Sequence, residues 1–416
     1  MNDRIEATYL IETAYPVEDA AAAMAGEQSS GTFVALPGET PELKARASAR
    51  VERIDDLGPV AEPSLPGAGR AGEAHHLARV TLSWPMANLG PSLPNLMATV
   101  AGNLFELHWF SGLRLVDLRL PDAFTAACPG PAFGIEGTRH LSGVKSGPLI
   151  GTIVKPSVGL SATETAALVA ELCAAGIDFI KDDELQADGP SCPFEDRARA
   201  VMAVINDHAE RTGKRVMYAF NLTGEVEEMR ARHDLVESLG GTCVMASINS
   251  VGLTGMLALR RHSRLPIHAH RNGWGYLSRH PALGFDYRAW SVFWRLAGAD
   301  HLHVNGIANK FCESDDSVIA SARALLQPLS AAHPAVAMPV FASGQSARQV
   351  HLTWTSLGRA DLIFAAGGGI MAHPDGPAGG VRSIRDAWDA AMAGIPLEKA
   401  AQGSRALAAA LVRYGP

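Results

Sequence analysis

The segment GIDFIKDDELQADG, residues 176–189, runs from apolar residues straight into a lysine and three acids. The Phe and Ile content before the charges predicts burial right up to Lys181. Side chains alternate along a strand, so Lys181 and Asp183 share one face and Asp182 takes the other. Glu184 falls where the strand opens into a loop. Standing alone, the same charges would also suit a surface turn of local salt bridges. A buried lysine beside carboxylates lowers its cost by pairing as an ammonium or by losing its proton. A neutral lysine amine can add carbon dioxide and become a carbamate, an anionic oxygen ligand. With Asp183 and Glu184 it would offer three hard oxygen groups, a set that suits Mg²⁺ with water or substrate in the remaining octahedral positions.

Such a cluster needs elements to carry it. Short apolar runs recur after residue 147: GPLIGTIVKP, GIDFIKDDE, VMYAFNLTG, GTCVMASIN, LPIHAHRNG, ADHLHVNG, MPVFASGQ and DLIFAAGGG. Amphipathic stretches such as SATETAALVAELCAAG, SVIASARALLQPLSAA and SIRDAWDAAMAG lie between runs. That alternation predicts a (β/α)₈ barrel. A doubly wound open sheet would usually show GxGxxG after its first strand, and none is present. Polar and ionisable residues cluster at the C-terminal ends of the runs: Lys155, Lys181–Glu184, Asn221, His268, His270, Arg271, His301, His303, Ser343 and Gly367–Gly369. In a barrel those ends converge on one mouth, where active sites sit. A lone histidine on a strand is more often a hydrogen-bonded core residue. Several such residues at successive strand ends point to a site, because a purely structural barrel gains nothing by desolvating them together.

The first ~120 residues read differently, as an α+β unit. ATYLIE, GTFVAL, HLARVTLSW and LRLVDLRLP suggest strands; PVEDAAAAMAGE and LPNLMATVAGNLFEL suggest helices. AEPSLPGAGRAGEAHH (61–76) reads as a mobile surface loop, and PGPAFGIEG (129–137) as a connector. The expected layout is an N-terminal α+β (ferredoxin-like) domain over 1–122, a connector over 123–147 and a catalytic barrel over 148–416.

Net charge is −7 and no basic patch runs along the chain, which argues against nucleic acid as a partner. The sequence predicts no signal peptide and no membrane span, hence a cytoplasmic protein. Five cysteines without a CxxC pair read as reduced thiols.

The lysine–acid segment resembles GxDFxKDDE, the carbamylated-lysine metal motif of the RuBisCO large-chain family. GTIVKPSVGLS resembles that family's first barrel strand and loop, which makes Lys155 the enolisation base. IHAHR resembles the fifth-strand motif, with His270 in proton transfer and Arg271 on a phosphate. DHLHVNGIANK resembles the sixth strand and its lid, with His303 on phosphate and Lys310 as lid lysine. ASGQ resembles ASGG, placing Ser343 and Gly344 on substrate. AAGGGIMAHPDG resembles the phosphate loop, at Gly367 and Gly368. EQSSGTF and AGNLF resemble segments that a neighbouring subunit contributes, through Glu27, Thr32 and Asn103. The resemblance implies one Mg²⁺ per active site on carbamylated Lys181, Asp183 and Glu184. It also implies a homodimer or higher homo-oligomer.

Departures decide which kind of member this is. Ser157 stands where the family has a second lysine, Gln345 where it has the second glycine of ASGG, Phe33 for a tryptophan and Ile153 for a threonine. The lid reads VNGIANKFCES, with Asn309 for the glycine before its lysine. These changes gather around one phosphate site and around carbon dioxide capture, so the resemblance is to a RuBisCO-like protein that does not fix carbon. It implies metal-assisted enolisation of a phosphorylated keto sugar or sugar acid. The methylthio-sugar enolases place a lysine at the position of Asn103, whereas this chain keeps asparagine there together with Lys155 and Lys310. That favours a decarboxylase or transcarboxylase/hydrolase acting on a substrate like 3-oxo-isoapionate 4-phosphate. An enolase or isomerase of methylthio-sugar phosphates, or a non-catalytic sugar-phosphate binder, is the alternative.

Overall fold

The computed structural model describes residues 3–31, 36–68 and 73–415. The chain forms two compact units, and they do not follow chain order. The first comprises 1–130, 273–297 and 328–334; the second comprises 131–272, 298–327 and 335–416. Two short returns of later chain, 273–297 and 328–334, complete the first unit.

In the first unit, β1 (Arg4–Thr13) buries every second side chain along most of its length, the pattern of a strand with one face on a core. It is the centre of the sheet. β3 (His75–Pro85) and β4 (Gly112–Arg119) flank β1 on either side, both antiparallel to it. β2 (Arg50–Val60) adds to β3 at the edge. Helices Val17–Glu27 and Leu93–Val100 complete a β-α-β-β-α-β chain order, with Ala20, Ala21 and Met24 of the first buried. The ferredoxin-like reading holds. The edge opposite β2 is closed by a strand of later chain, Leu283–Phe285, parallel to β4. The expected GTFVAL strand falls largely on 32–35, outside the described residues. In the expected loop, 61–68 is irregular and 75–76 already belong to β3.

The second unit is a closed barrel of eight parallel strands. They are β5 (Leu149–Ile153), β6 (Phe179–Lys181), β7 (Met217–Asn221), β8 (Cys243–Ser247), β9 (Ile267–His270), β11 (His301–His303), β12 (Met338–Phe341) and β13 (Ile363–Ala365), where β10 is the edge strand Leu283–Phe285. All eight expected runs are barrel strands. Leu149, Phe179, Met217, Met245, Met338, Val340 and Ile363 fill the lumen. Each such side chain contributes about 1.5–3 kcal/mol by leaving water.

The floor is sealed from the N-terminal side. Helix Gly134–Ser142 sets Ile135 and Leu141 against this core. Its first turn is pinned by Asp300, whose Oδ1 accepts from Phe133 N at 2.7 Å and Gly134 N at 2.8 Å. Asp300 Oδ2 accepts from Ile267 N at 2.8 Å and Arg260 at 3.1 Å. Part of the expected connector is thus the barrel's base. Among the described residues no helix is long and apolar enough to cross a membrane. All five cysteines are free thiols, four buried and Cys312 exposed.

Candidate active site

The end of β6 resolves its crowd of charges by giving each carboxylate its own cation. Asp182 turns outward into full burial. It accepts from Tyr218 Oη at 2.6 Å and from Asn221 N at 2.9 Å, and it pairs with Arg197 at 3.2 Å. Arg197 comes from helix Phe194–Thr212 and also donates to the carbonyls of Ala187, at 2.6 Å, and Cys192, at 3.0 Å. It thereby ties the loop after β6 to the strand end. Asp183 faces the mouth, where Lys155 Nζ, at the end of β5, lies 2.6 Å from its Oδ2. Lys155 also donates to Ser157 Oγ at 2.8 Å, so the serine expected to stand in place of a family lysine is hydrogen-bonded to it. Glu184 faces Lys181 Nζ at 3.4 Å, and Lys181 donates to the Asp182 carbonyl at 2.8 Å.

Lys181 is 1% exposed. Burial pushes its amine below the usual lysine range, against the pull of Glu184 and Asp183. Burial opposes the Glu184 carboxylate too, yet His270 and Lys181 outweigh it and hold its pKa below the usual carboxylate range. His270 is itself held low, first by burial and then by Lys181. It is therefore neutral at pH 7, and the standing cation beside Glu184 is Lys181. Asn272 N donates to His270 Nδ1 at 3.3 Å, which assigns the ring proton to Nε2, 3.4 Å from Glu184.

Beneath the mouth lies a column of imidazoles. The His270 and His303 rings are 4.5 Å apart, His303 Nε2 and His268 Nε2 share a 2.7 Å hydrogen bond, and the His268 and His301 rings are 5.6 Å apart. At the bottom His301 Nε2 meets Thr138 Oγ1 of the floor helix at 2.7 Å. Burial lowers His301 to about 3 and takes His268 and His303 well below the usual histidine range. All four rings are neutral in the fold. In the unfolded chain they take protons below about pH 6.5, so that state binds more protons as pH falls. Stability is full above that pH and is lost on acidification, each ring adding a slope of about 1.4 kcal/mol per pH unit. Urea midpoints are expected to fall continuously from about pH 6.5 downward. Midpoints that stay level to about pH 5 would contradict a neutral column.

The other strand ends complete the mouth. Arg271, after β9, pairs with Glu313 at 2.7 Å and donates to Val304 O at 3.1 Å. Ser343 donates to Asn305 Oδ1 at 3.0 Å. Ser343, Asn305 and Ala308 hold left-handed backbones, with φ of 72°, 66° and 47°. For non-glycine residues that costs about 1–3 kcal/mol each, strain typical of ligand-handling loops. Gly344 takes φ 84°, a backbone that favours glycine, and a Cβ there would lie 3.7 Å from Lys310 N. A Cβ on Gly367 would stand 3.9 Å from Lys155 Cε, so the glycine loop borders that lysine. The helix that follows starts at Gly368, and its first amides lack intrahelical partners.

The structure thus gathers Lys155, Lys181, Asp183, Glu184 and His270 in one cluster, with Gly367 beside Lys155. Arg271, Ser343 and Gly344 meet the loop after β11, at Glu313, Asn305 and Lys310. Lys310 is not brought in: it is exposed, with Nζ 5.3 Å from the Phe311 ring centroid. On the first unit Asn103 Nδ2 lies 3.2 Å from Glu27 Oε1, both exposed. Thr32 and Phe33 lie outside the described residues. Sequence reasoning missed Arg197, Tyr218 and Glu313. Arg197 had a signal, a lone cation on the otherwise apolar face of an amphipathic helix. A second group with ligand-like spacing, His233, Asp234 and His262, lies on the helices outside the barrel. There the Arg264 N–H donates to His233 Nε2, which turns the His233 Nδ1 proton toward Asp234. That trio is a hydrogen-bonded tie between helices.

An eight-stranded barrel that gathers two lysines, two carboxylates, a neutral histidine and a glycine loop at one mouth has the make-up of an enzyme site. Residues 134–414 match the family model for the ribulose bisphosphate carboxylase large chain, catalytic domain, and residues 2–124 match that for its N-terminal domain. The chain belongs to the RuBisCO large-chain family. It is 61% identical over 411 residues, 99% of each chain, to a Xanthobacter autotrophicus protein named 3-oxo-isoapionate-4-phosphate transcarboxylase/hydrolase. It is 45% identical, over 99% of its length and 98% of the relative's, to a Rhizobium etli protein named 3-oxo-isoapionate-4-phosphate decarboxylase. Among solved structures, a rubisco-like protein from Burkholderia fungorum superposes with a TM-score of 0.93 at 49% identity, covering 99% of this chain and 100% of that one.

Proposed function

We propose that this chain is a Mg²⁺-dependent enzyme that enolises 3-oxo-isoapionate 4-phosphate and cleaves a carbon–carbon bond of it, as a transcarboxylase/hydrolase or a decarboxylase. The observation that carries the reading is Lys155 Nζ at 2.6 Å from Asp183, a proton-handling amine set directly against the candidate metal carboxylates. The names of the two relatives support the substrate, and the higher identity favours the transcarboxylase/hydrolase.

The residues fit a divalent ion. Lysine ammoniums already stand against Asp183 and Glu184, so both carboxylates face cations. Two carboxylates alone make a sparse site. Lys181 would supply the third oxygen donor once its amine, held below the usual lysine range by burial, adds carbon dioxide and gives up its proton. A divalent ion held by these three groups supplies Lewis-acid polarisation of neighbouring carbonyl and hydroxyl oxygens.

In a 3-oxo acid the bond from C2 to the carboxylate lies beta to the C3 carbonyl. When that bond breaks, its electron pair moves into the carbonyl as an enolate, and carbon dioxide leaves. Lys155 then gives a proton to the carbon. His270, with its proton on Nε2, orients or shuttles a proton at a substrate hydroxyl. The amides at Gly367 and Gly368 hold the phosphate. Arg271, His303 and Ser343 line the other end. Lys310 swings in with its loop to hold the departing or migrating carboxylate. The proposal includes a cytoplasmic homodimer in which Glu27, Thr32 and Asn103 of one chain complete the mouth of the other. Elution as a single 43.9 kDa chain at assay concentration would set that part aside.

The test is turnover of 3-oxo-isoapionate 4-phosphate with Mg²⁺ and bicarbonate, followed by product analysis. Released carbon dioxide marks a decarboxylase; a carboxylate kept on a product marks a transcarboxylase/hydrolase. Lys155→Met is expected to lose about 10²–10⁴-fold in turnover while still binding metal. Metal-independent turnover, or an active Lys155→Met variant, would overturn the mechanism.

A further inference from the structure

The Arg271 end of the mouth is already occupied by the protein's own anion. Glu313 Oε2 accepts from Arg271 and from Asn305 Nδ2, each at 2.7 Å, while Ser317 Oγ donates to Oε1 at 2.9 Å. Asn305 Oδ1 in turn accepts from Ser343 at 3.0 Å. Ser343, Asn305, Glu313 and Arg271 are therefore joined in one hydrogen-bonded relay. Two of the groups that would grip an anion at this end already donate to the protein, Arg271 through Nη2 to the Glu313 carboxylate and Ser343 through Oγ to the asparagine that holds it. The pair is sheltered, with the side chains of Arg271 and Glu313 only 6% and 14% exposed. Asn309 fixes the lid backbone by donating to Gly306 O at 3.0 Å and Glu313 O at 3.1 Å. Gln345 closes the remaining space. Its amide donates to Ile307 O at 3.0 Å and packs on Gly306, where even a Cβ would collide with it.

We propose that Glu313 is a specificity-determining residue. Its carboxylate neutralises Arg271 in place of a second phosphate, so the site takes sugar-acid monophosphates and rejects bisphosphates. This rests on the enolising reading above, and it narrows the substrate class. A dianion brought to the Arg271 end would meet a desolvated carboxylate at close range, with Arg271 already neutralised. A monophosphate leaves that end to hydroxyl groups, from which Ser343 Oγ can accept while it donates to Asn305, without added charge.

Binding tests this without turnover. Ribulose 5-phosphate and ribulose 1,5-bisphosphate are titrated into the Mg²⁺- and bicarbonate-loaded protein. The unmodified chain is expected to bind the bisphosphate no better than the monophosphate. Glu313→Gln keeps the size and most hydrogen bonds while freeing the Arg271 charge. It is expected to tighten the bisphosphate by about tenfold or more, with the monophosphate within about threefold. Adding Arg271→Met to that variant is expected to erase the gain. An unmodified chain that already prefers the bisphosphate by about tenfold overturns the proposal. So does a Glu313→Gln variant with no bisphosphate gain, or one in which both ligands tighten equally, which would make Glu313 a displaceable plug. Selective binding with no turnover of any monophosphate would instead sink the catalytic reading and leave the selectivity intact.

Discussion

Lys181→Ala is expected to lose metal-dependent turnover by more than about 10²-fold while the chain stays folded. Changing a partner that merely orients a metal ligand typically lowers affinity or activity by about 10–100-fold, so loss of a ligand has to exceed that. Asp183 and Glu184 would remain, but two carboxylates leave a small, strongly hydrated divalent ion mostly on water. The fold survives because the group left behind is not trapped: the Glu184 side chain is 33% exposed and can rehydrate. Calorimetric Mg²⁺ titration at two bicarbonate concentrations, beside circular dichroism and turnover, checks each part. A variant that keeps more than about a tenth of its activity would show that Lys181 is no ligand.

Arg197→Met carries the largest stability effect. Asp182 and Arg197 are 1% and 0% exposed, so removing the cation strands a carboxylate that water cannot reach. Breaking a buried pair from one side costs about 3–5 kcal/mol. The carbonyls of Ala187 and Cys192 lose their donor as well. Tyr218 and Asn221 N remain on Asp182 and soften the loss without supplying charge. Because Asp182 lies between Lys181 and Asp183, the surviving fold is expected to show weakened metal binding too. Urea unfolding reads the first effect and metal titration the second. A shift under about 1 kcal/mol would mean that water or a rearranged neighbour replaces the arginine.

Much of this was legible in the sequence, for a physical reason. Barrel strands are buried on both faces, so each reads as an apolar run, and the polar residues that interrupt those runs mark the mouth. β2 left no such trace: most of its residues are exposed, and it is a strand because β3 offers it a partner. The edge strand Leu283–Phe285 is too short to show a period. The lysine–acid cluster was readable as chemistry, but not which cation each acid would take. Asp182 pairs with a residue fifteen positions away through the geometry of a helix. Glu313 was invisible because its partner belongs to a different strand-end loop, 42 positions earlier in the chain.

The floor of the barrel sets an order on folding. Phe133, Gly134 and Thr138 are made before the first barrel strand, yet their partners Asp300 and His301 lie 167, 166 and 163 positions later. Contacts across such separations form slowly, because a long loop must close first. A nascent chain that has not yet reached β11 holds the floor helix without the two residues that fasten it, Asp300 and His301.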